Sequence, residues 1–163
     1  MGRGGKIIID ARVRPPFKSL TQVLAPEPGA RPAVKRSPLV SGYDKTPSMT
    51  QRSCELFMEE MDEAGTDKGI LVGRQAGHRV ILNDDIAELR DRYPDRFPVV
   101  LAGINGADVE RGLQEIERTL REMHFHGIAV DPGWWNPPRY VDDADNYPLY
   151  RRCEELGGVM YLT

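Results

Sequence analysis

Five short apolar runs alternate with four amphipathic stripes along this 163-residue chain, and this order constrains the fold more than any other feature. The runs have the length of strands and cover residues 6–10, 68–73, 98–104, 127–132 and 159–163. In the stripes between them, apolar residues repeat every three or four residues, the period of an α-helix. Ser48 or Thr50 is predicted to cap the first of these helices, and Asn83 or Asp84 the second. Strands that alternate with helices across short connections predict a parallel sheet with right-handed crossovers. This pattern fits both a barrel and a doubly wound domain of the flavodoxin type.

The first predicted strand ends in two arginines. Three consecutive isoleucines, residues 7–9, predict a strand that is buried on both faces, as in parallel sheets. Beyond Asp10 the side chains alternate, so Arg12 and Arg14 share one face at the carboxyl end of the strand, where α/β folds carry ligand sites. Two guanidinium groups at this end either form an anion site or pair with acidic residues of neighbouring strands.

The apolar run followed by Asp10-Ala11-x-Val13-x-Pro15 resembles the first strand of the amidohydrolase superfamily, in the amidohydrolase-2 branch that includes aminocarboxymuconate-semialdehyde decarboxylase. Further segments resemble later elements of that branch in the same order, namely residues 58–65, 93–97, 127–128, 147–150 and 154–157. The resemblance implies a (β/α)8 TIM barrel of about 250 residues. The chain would form one domain, residues 1–163, covering about the first five strands and four helices, with a Pro-rich loop at about 17–47.

The same resemblance bears on metal binding. In that branch the two variable positions of the motif are histidines that help to hold a divalent metal, whereas this chain carries Arg12 and Arg14. A later family histidine, near the end of the fifth strand, is replaced by the leucine before Thr163. His78 is the one imidazole predicted on the correct side, because the H-x-H of residues 124–126 precedes a strand and lies at the amino end. One histidine is not a zinc or manganese site, so we expect a degenerate site with no metal and no cofactor.

Several other side chains follow predicted strands and converge on the same end of the sheet. The predicted substrate-binding residues are Arg12, Arg14, Arg74, Asn105 and Trp134, and the predicted catalytic residue is Asp131. Arginine forks bind carboxylates through two hydrogen bonds and tryptophan supplies an apolar wall, so this set suits a small organic acid. Asp131 is either a general base or the counter-ion of Arg12 or Arg14.

The site and the resemblance together predict a function. We expect an amidohydrolase-2-like hydrolase or lyase that acts on a small carboxylated molecule without the usual divalent metal. In such an enzyme the arginine pair would supply the electrostatic stabilisation that the ion normally gives. The alternative is a non-catalytic relative, a binding or scaffold protein that kept the barrel and lost the metal ligands.

Composition restricts the partners. A net charge of −3 and a pI of about 5.7 give no general attraction to nucleic acid or to anionic membranes. No apolar run approaches the roughly 20 residues of a membrane span. Cys54 and Cys153, the two cysteines, lie on predicted helix stripes, which suits reduced thiols in a cytoplasmic protein.

The open edges of a partial barrel predict a homo-oligomer. The Pro-rich loop is either a lid, an arm that reaches a partner subunit, or a solvated loop.

Overall fold

The computed structural model describes residues 5–19, 46–76 and 79–162. Its strands are β1 (Ile9–Val13), β2 (Lys68–Val72), β3 (Arg74–Ala76), β4 (Arg79–Ile81), β5 (Val99–Ile104), β6 (Gly127–Val130) and β7 (Val159–Leu162). Its helices are α1 (Pro47–Gln51), α2 (Cys54–Glu63), α3 (Asn83–Arg92), α4 (Val109–Glu117) and α5 (Tyr147–Glu155). A π-helical turn, Arg118–Glu122, extends α4, and two short 3-10 turns, Pro132–Trp134 and Ala144–Asn146, lie between β6 and α5.

The main sheet has five parallel strands in the order β1-β2-β5-β6-β7, which is also their order along the chain. A doubly wound domain reverses its direction of winding at a switch point, so its strand order is not sequential. Sequential parallel strands joined by helices wind in one direction, as they do in a barrel wall. The doubly wound alternative is therefore wrong, and the described strands form a curved half of a (β/α) barrel.

The two faces of this sheet differ in what covers them. The outer face packs on the helices in one large apolar core, which includes the buried residues Leu71, Val100, Ile104, Ile128 and Leu149. The inner face carries a smaller cluster of Val72, Leu101 and Ala129, with Ile70, Val99 and Tyr161 packed against it. This division follows the alternation of side chains along each strand, and it defines which residues line the inside of the barrel.

The prediction that the first strand is buried on both faces is wrong. Ile7, Ile8 and Ile9 are 66%, 43% and 53% exposed, respectively. The reason is that β1 is an edge strand and only β2 pairs with it among the described strands. The opposite edge, β7, likewise exposes Val159 and Leu162. Both edges are apolar and carry backbone groups available for pairing.

The local elements differ from the predictions in two places. The cap of α2 is Ser53, whose hydroxyl accepts the Leu56 N–H at 3.2 Å, rather than Ser48 or Thr50. An antiparallel pair, β3 with β4, follows β2 directly and was not predicted. Arg74 lies just past β2, as predicted, and is also the first residue of β3.

The remaining predictions concern the cysteines, membrane-spanning segments and the Pro-rich loop. Cys54 is half-buried and Cys153 buried, and both are free thiols. Among the helices that the structure describes, none has the length and apolarity needed to cross a membrane. Most of the Pro-rich loop, together with His78 and Thr163, lies outside the described residues.

Candidate functional site

A β-bulge in β1 aims the two arginines. Asp10 pairs with Gly69 and Val13 pairs with Leu71, so three steps along β1 match two steps along β2. The Asp10 carboxylate accepts the backbone N–H of Arg12 at 2.9 Å, which satisfies a donor within the irregular segment. Bulges of this kind re-aim side chains and are common beside functional sites.

The bulge decides which face each side chain occupies. Residues paired across parallel strands point to the same side, so Val13 joins Leu71 in the outer core, where it is buried. Arg12 and Arg14 therefore point to the inner face, Arg12 exposed and Arg14 half-buried. With regular alternation from Ile9, which lies on the inner face beside Lys68, both arginines would instead point at the helices.

Arg74 and Asp131 form an ion pair over the ends of the central strands. Arg74 Nη2 lies 3.1 Å from Asp131 Oδ2, and the side chains are only 16% and 13% exposed. The two residues follow β2 and β6, with β5 between them. Gly103 of β5 lies on the inner face beside Ala129 and has no side chain to separate the pair. The sequence left Asp131 as either a general base or the counter-ion of Arg12 or Arg14, and the ion pair seen here joins it to Arg74.

Trp134 covers this ion pair. The guanidinium carbon of Arg74 lies 5.4 Å from the centre of the Trp134 ring, the geometry of a cation–π contact. The 3-10 turn Pro132–Trp134 places the ring, because the Trp134 N–H donates to the Asp131 carbonyl at 3.0 Å. The Trp134 side chain remains 56% exposed and so presents an open aromatic wall.

Trp135, adjacent in sequence, has a different role. It is 4% exposed and packs on Gly106, where an added Cβ would lie 2.4 Å from the Trp135 ring. Arg139 joins the same two loops, donating to the carbonyls of Gly106 at 2.8 Å and Ala107 at 3.3 Å. The loop after β6 is therefore fixed to the loop after β5. Sequence reasoning missed Arg139 because it lies in an irregular segment without periodicity.

Asn105, predicted to bind substrate, follows β5 directly and is exposed. Its Oδ1 accepts the N–H of Ala107 at 3.0 Å, a local turn typical of asparagine. This hydrogen bond shapes the loop on which Trp135 and Arg139 converge. Asn105 thus lies at the strand-end edge, with one of its polar atoms used inside its own loop.

Beneath the ion pair lies Asn83, which the sequence predicted only as a possible helix cap. Its side chain makes no capping bond in α3. Instead Oδ1 accepts the Gly103 N–H at 2.8 Å, and Nδ2 donates to the Gly103 carbonyl at 3.0 Å and to Glu115 Oε1 at 2.7 Å. The residue is 1% exposed. The role of Asn83 depends on hydrogen-bond partners that are distant in sequence, so no local sequence pattern reveals it.

The carboxylates around Asn83 titrate below their usual range. Burial raises the pKa of Glu115, but hydrogen bonds from Arg118 and Asn83 outweigh it and the net pKa is lowered. Hydrogen bonds from Arg118 likewise lower the pKa of Asp84, against a smaller effect of burial. The same bonds to Glu115 and Asp84 raise the pKa of Arg118. All three groups are therefore charged at neutral pH.

The strand-end residues that the structure describes do not offer the ligands of a divalent metal. Arg12 and Arg14 are cations, and the carboxylate of Asp131 is already paired with Arg74. Over residues 5–19, 46–76 and 79–162 no group of three or more His, Cys, Asp or Glu is placed to hold an ion. His126 lies at the opposite end of the sheet, where its Nδ1 accepts the N–H of Val100 at 3.3 Å.

Comparison with known proteins agrees with this architecture. The family model described as Amidohydrolase (Amidohydro_2) matches residues 33–163. No curated protein matches the chain. An uncharacterised TIM-barrel protein from Bordetella bronchiseptica superposes with a TM-score of 0.78 and 29% identity, over 96% of this chain and 55% of that protein.

Two enzymes of known activity share the fold at lower identity. A 5-carboxyvanillate decarboxylase from Novosphingobium aromaticivorans, solved with manganese, gives a TM-score of 0.68 at 22% identity, over 99% of this chain and 52% of the enzyme. A 4-oxalomesaconate hydratase from Rhodopseudomonas palustris gives 0.58 at 20%, over 94% and 51%. The chain thus spans about half the length of these structures. The predicted fold, the first five strands of a TIM barrel, is confirmed.

Proposed function

Because the chain belongs to the amidohydrolase family, we propose that it binds a small carboxylated organic molecule at its strand ends and acts on it as a hydrolase or lyase without a divalent metal. The observation that carries this proposal is the Arg74–Asp131 pair under Trp134, at the edge toward which Arg12 and Arg14 also point. We refer to these five residues as the strand-end site.

The strand-end site offers donors suited to a carboxylate. A guanidinium presents five N–H groups in a planar fork, and the ion pair with Asp131 uses one nitrogen of Arg74. Arg74 Nε is buried and has no hydrogen-bond partner among the described residues. A buried unsatisfied donor costs about 1–3 kcal/mol. Arg74 therefore has hydrogen-bonding capacity that the described residues leave unused.

Trp134 favours a ligand with an apolar or flat part beside its carboxylate. The ring is exposed on one side and backed by the Arg74 guanidinium on the other, so a planar ligand could stack on it. The names of two structural neighbours support this class, since 5-carboxyvanillate and 4-oxalomesaconate are both carboxylated molecules.

The proposal assigns the stabilisation of charge during the reaction to side chains of the protein. Arg12 and Arg14 occupy the positions at which the resemblance implies metal-ligating histidines, so we assign to them the stabilisation of negative charge that develops on the substrate. Asp131 is assigned as the proton acceptor, held beside the substrate by its contact with Arg74. Preformed positive groups in a partly buried site need little reorganisation when charge develops.

One observation favours the second candidate, a non-catalytic binding protein. The charge of Asp131 is already balanced by Arg74 at 3.1 Å, so this carboxylate is engaged within the protein before any substrate binds. Such a site would bind an anion through its arginines and leave it unchanged. The two candidates share ligand chemistry and differ only in turnover.

Full-length protein and its Asp131→Asn variant separate the two candidates. Lactone and semialdehyde diacids are tested for turnover and binding, each with and without a chelator. The enzyme proposal expects turnover that survives chelation and is lost in Asp131→Asn, while binding remains. Binding without turnover by the wild-type protein supports the non-catalytic candidate. Turnover that disappears with chelator and returns with metal contradicts the metal-independent proposal, and absence of both binding and turnover contradicts the substrate class.

A further inference from the structure

The backbone that carries Arg74 rests directly on Gly103. A Cβ added to Gly103 would lie 2.4 Å from Arg74 N and 2.8 Å from Arg74 Cα. In the same way, a Cβ added to Gly73 would lie 2.2 Å from Gly103 N. Any side chain at either glycine would push the strands apart, because real Cβ atoms do not come this close to backbone. The position of Arg74 is therefore set by the position of Gly103.

Asn83 in turn fixes Gly103. Its amide forms hydrogen bonds with both backbone groups of Gly103, accepting from the N–H and donating to the carbonyl. The amide also reaches the neighbouring turn, because a Cβ on Gly73 would lie 3.0 Å from Asn83 Oδ1. One buried side chain thus holds the segment that lies under Arg74. The amide is suited to this task because it offers a donor and an acceptor on one planar group.

A series of ionic hydrogen bonds connects this amide to the surface. Nδ2 of Asn83 donates to Glu115, and Arg118 binds Glu115 through Nε and Nη2, both at 2.8 Å. Arg118 also contacts both carboxylate oxygens of Asp84, at 3.0 and 3.1 Å. Charge-assisted bonds of this kind are stronger than neutral ones and hold their partners in defined orientations. The series runs from an exposed carboxylate on α3 to the floor of the strand-end site.

From these contacts we propose that Asn83 is a positioning residue for Arg74, and that Glu115 and Arg118 keep the Asn83 amide in place. The proposal rests on the proposed function, because it concerns the same anion site. Its physical basis is the direct contact of three layers, namely the Asn83 amide, the Gly103 backbone and the Arg74 backbone, which we call the stack. The stack fixes the backbone of Arg74, and from there the guanidinium reaches Asp131 and the Trp134 ring. Sites of this kind lose function when displaced by about 0.5 Å.

The choice of asparagine supports a positioning role over a helix cap. A cap would turn its oxygen to the N–H groups of its own helix, whereas this side chain makes no such bond in α3. Aspartate at position 83 would keep the acceptor for Gly103 N–H, lose both donated bonds and repel the carboxylate of Glu115. Asn83→Asp therefore loosens the stack with almost no change in side-chain volume.

The test uses full-length protein, with benzoate as the anionic probe and benzamide as its neutral counterpart. Variants are Asn83→Asp, Arg118→Gln and Arg74→Ala, with Arg121→Gln as matched control. Arg121 lies in the same π-helical turn as Arg118, and its side chain is exposed where it pairs with Glu117. Two readouts are taken, namely benzoate affinity by calorimetry and the ¹⁵N resonance of Arg74 Nε in ligand-free protein. Arg74→Ala identifies that resonance by its loss.

We expect Asn83→Asp to shift the Arg74 Nε resonance and to weaken benzoate binding by about 2- to 30-fold, the range typical of residues that act through others. Arg118→Gln should change both readouts in the same direction by a smaller amount, while Arg121→Gln should change neither. Benzamide binding should stay weak throughout, because the neutral probe lacks the carboxylate.

The outcomes distinguish the inference from the function it rests on. If Arg74→Ala binds benzoate as tightly as wild type, the proposed function fails, and the Arg74 Nε resonance still reports on positioning. If Arg74→Ala weakens binding while folded Asn83→Asp changes neither the resonance nor the affinity, the positioning role is overturned. If Asn83→Asp does not fold, Arg118→Gln decides, and an unchanged resonance in that variant overturns the proposal.

Discussion

Replacing Arg74 by alanine should destabilise the folded protein by an amount that the structure allows us to work out. The change leaves Asp131, whose side chain is 13% exposed, without the guanidinium at 3.1 Å. Breaking a buried ion pair by removing one partner costs about 3–5 kcal/mol. The cation–π contact with the exposed Trp134 ring adds about 0.5–1 kcal/mol. Loss of the unsatisfied Arg74 Nε offsets about 1–3 kcal/mol, so the net cost lies within about 0.5–5 kcal/mol, with a central value of about 3 kcal/mol.

Urea unfolding of the full-length protein at neutral pH, followed by far-ultraviolet circular dichroism, measures this difference. The double variant Arg74→Ala, Asp131→Ala should be less destabilised than the sum of its single variants, since the second change removes the unpaired charge. Arg121→Ala is the control, because Arg121 is exposed and its pair with Glu117 should contribute less than about 1 kcal/mol. A cost for Arg74→Ala no larger than that of the control would refute the argument that the pair is buried and coupled.

Three further predictions concern pH, packing and the sheet edges. The pKa values of Glu115 and Asp84 are lowered by folding, so their contribution to stability is full above their unfolded values of 4.5 and 3.8 and is lost as pH falls through the lower folded values. The slope of unfolding free energy against pH below about 4.5 should therefore flatten in Arg118→Gln. Gly106→Ala should cost about 1–3 kcal/mol by overpacking and alter the near-ultraviolet signal of Trp135, and an unchanged signal and stability would be inconsistent with the 2.4 Å approach. The 163-residue chain expressed alone should be oligomeric or aggregate by light scattering, because β1 and β7 expose apolar edges, and a monomer with one cooperative transition would argue otherwise.

The sequence predicted the wall of the barrel well because its signals are periodic. Each helix stripe and each apolar run repeats with the period of its element, so β2, β5, β6 and β7 were found at nearly their observed bounds. Periodicity does not reveal neighbours in space, and the count of strands left the doubly wound alternative open. The resemblance of the motif at residues 10–15 to a barrel family favoured the correct fold.

The sequence indicated which residues lie near the candidate site, but it did not reveal which face they occupy or which partners they contact. Alternation along β1 suggested that the two arginines share a face, but the bulge that chooses the face depends on the register with β2. The partner of Asp131 is Arg74 because Gly103 leaves room between their strands, a relation that only the strand order reveals. Asn83 or Asp84 was predicted to cap the second helix because both residue types commonly do so, but the Asn83 side chain makes tertiary hydrogen bonds to Gly103 instead.

The central claim is that arginines, in place of a metal, bind the carboxylate of a small acid at the strand ends. Its most direct test is calorimetric titration of benzoate into chelator-treated full-length protein and into its Arg12→Ala, Arg14→Ala, Arg12→Lys and Arg14→Lys variants. We predict that chelation leaves wild-type affinity unchanged, that each alanine variant loses about 2–5 kcal/mol of binding free energy, and that lysine, which keeps the charge without the planar fork, loses less. Folded alanine variants that bind benzoate as tightly as wild type, or wild-type affinity that requires added metal, would contradict the claim.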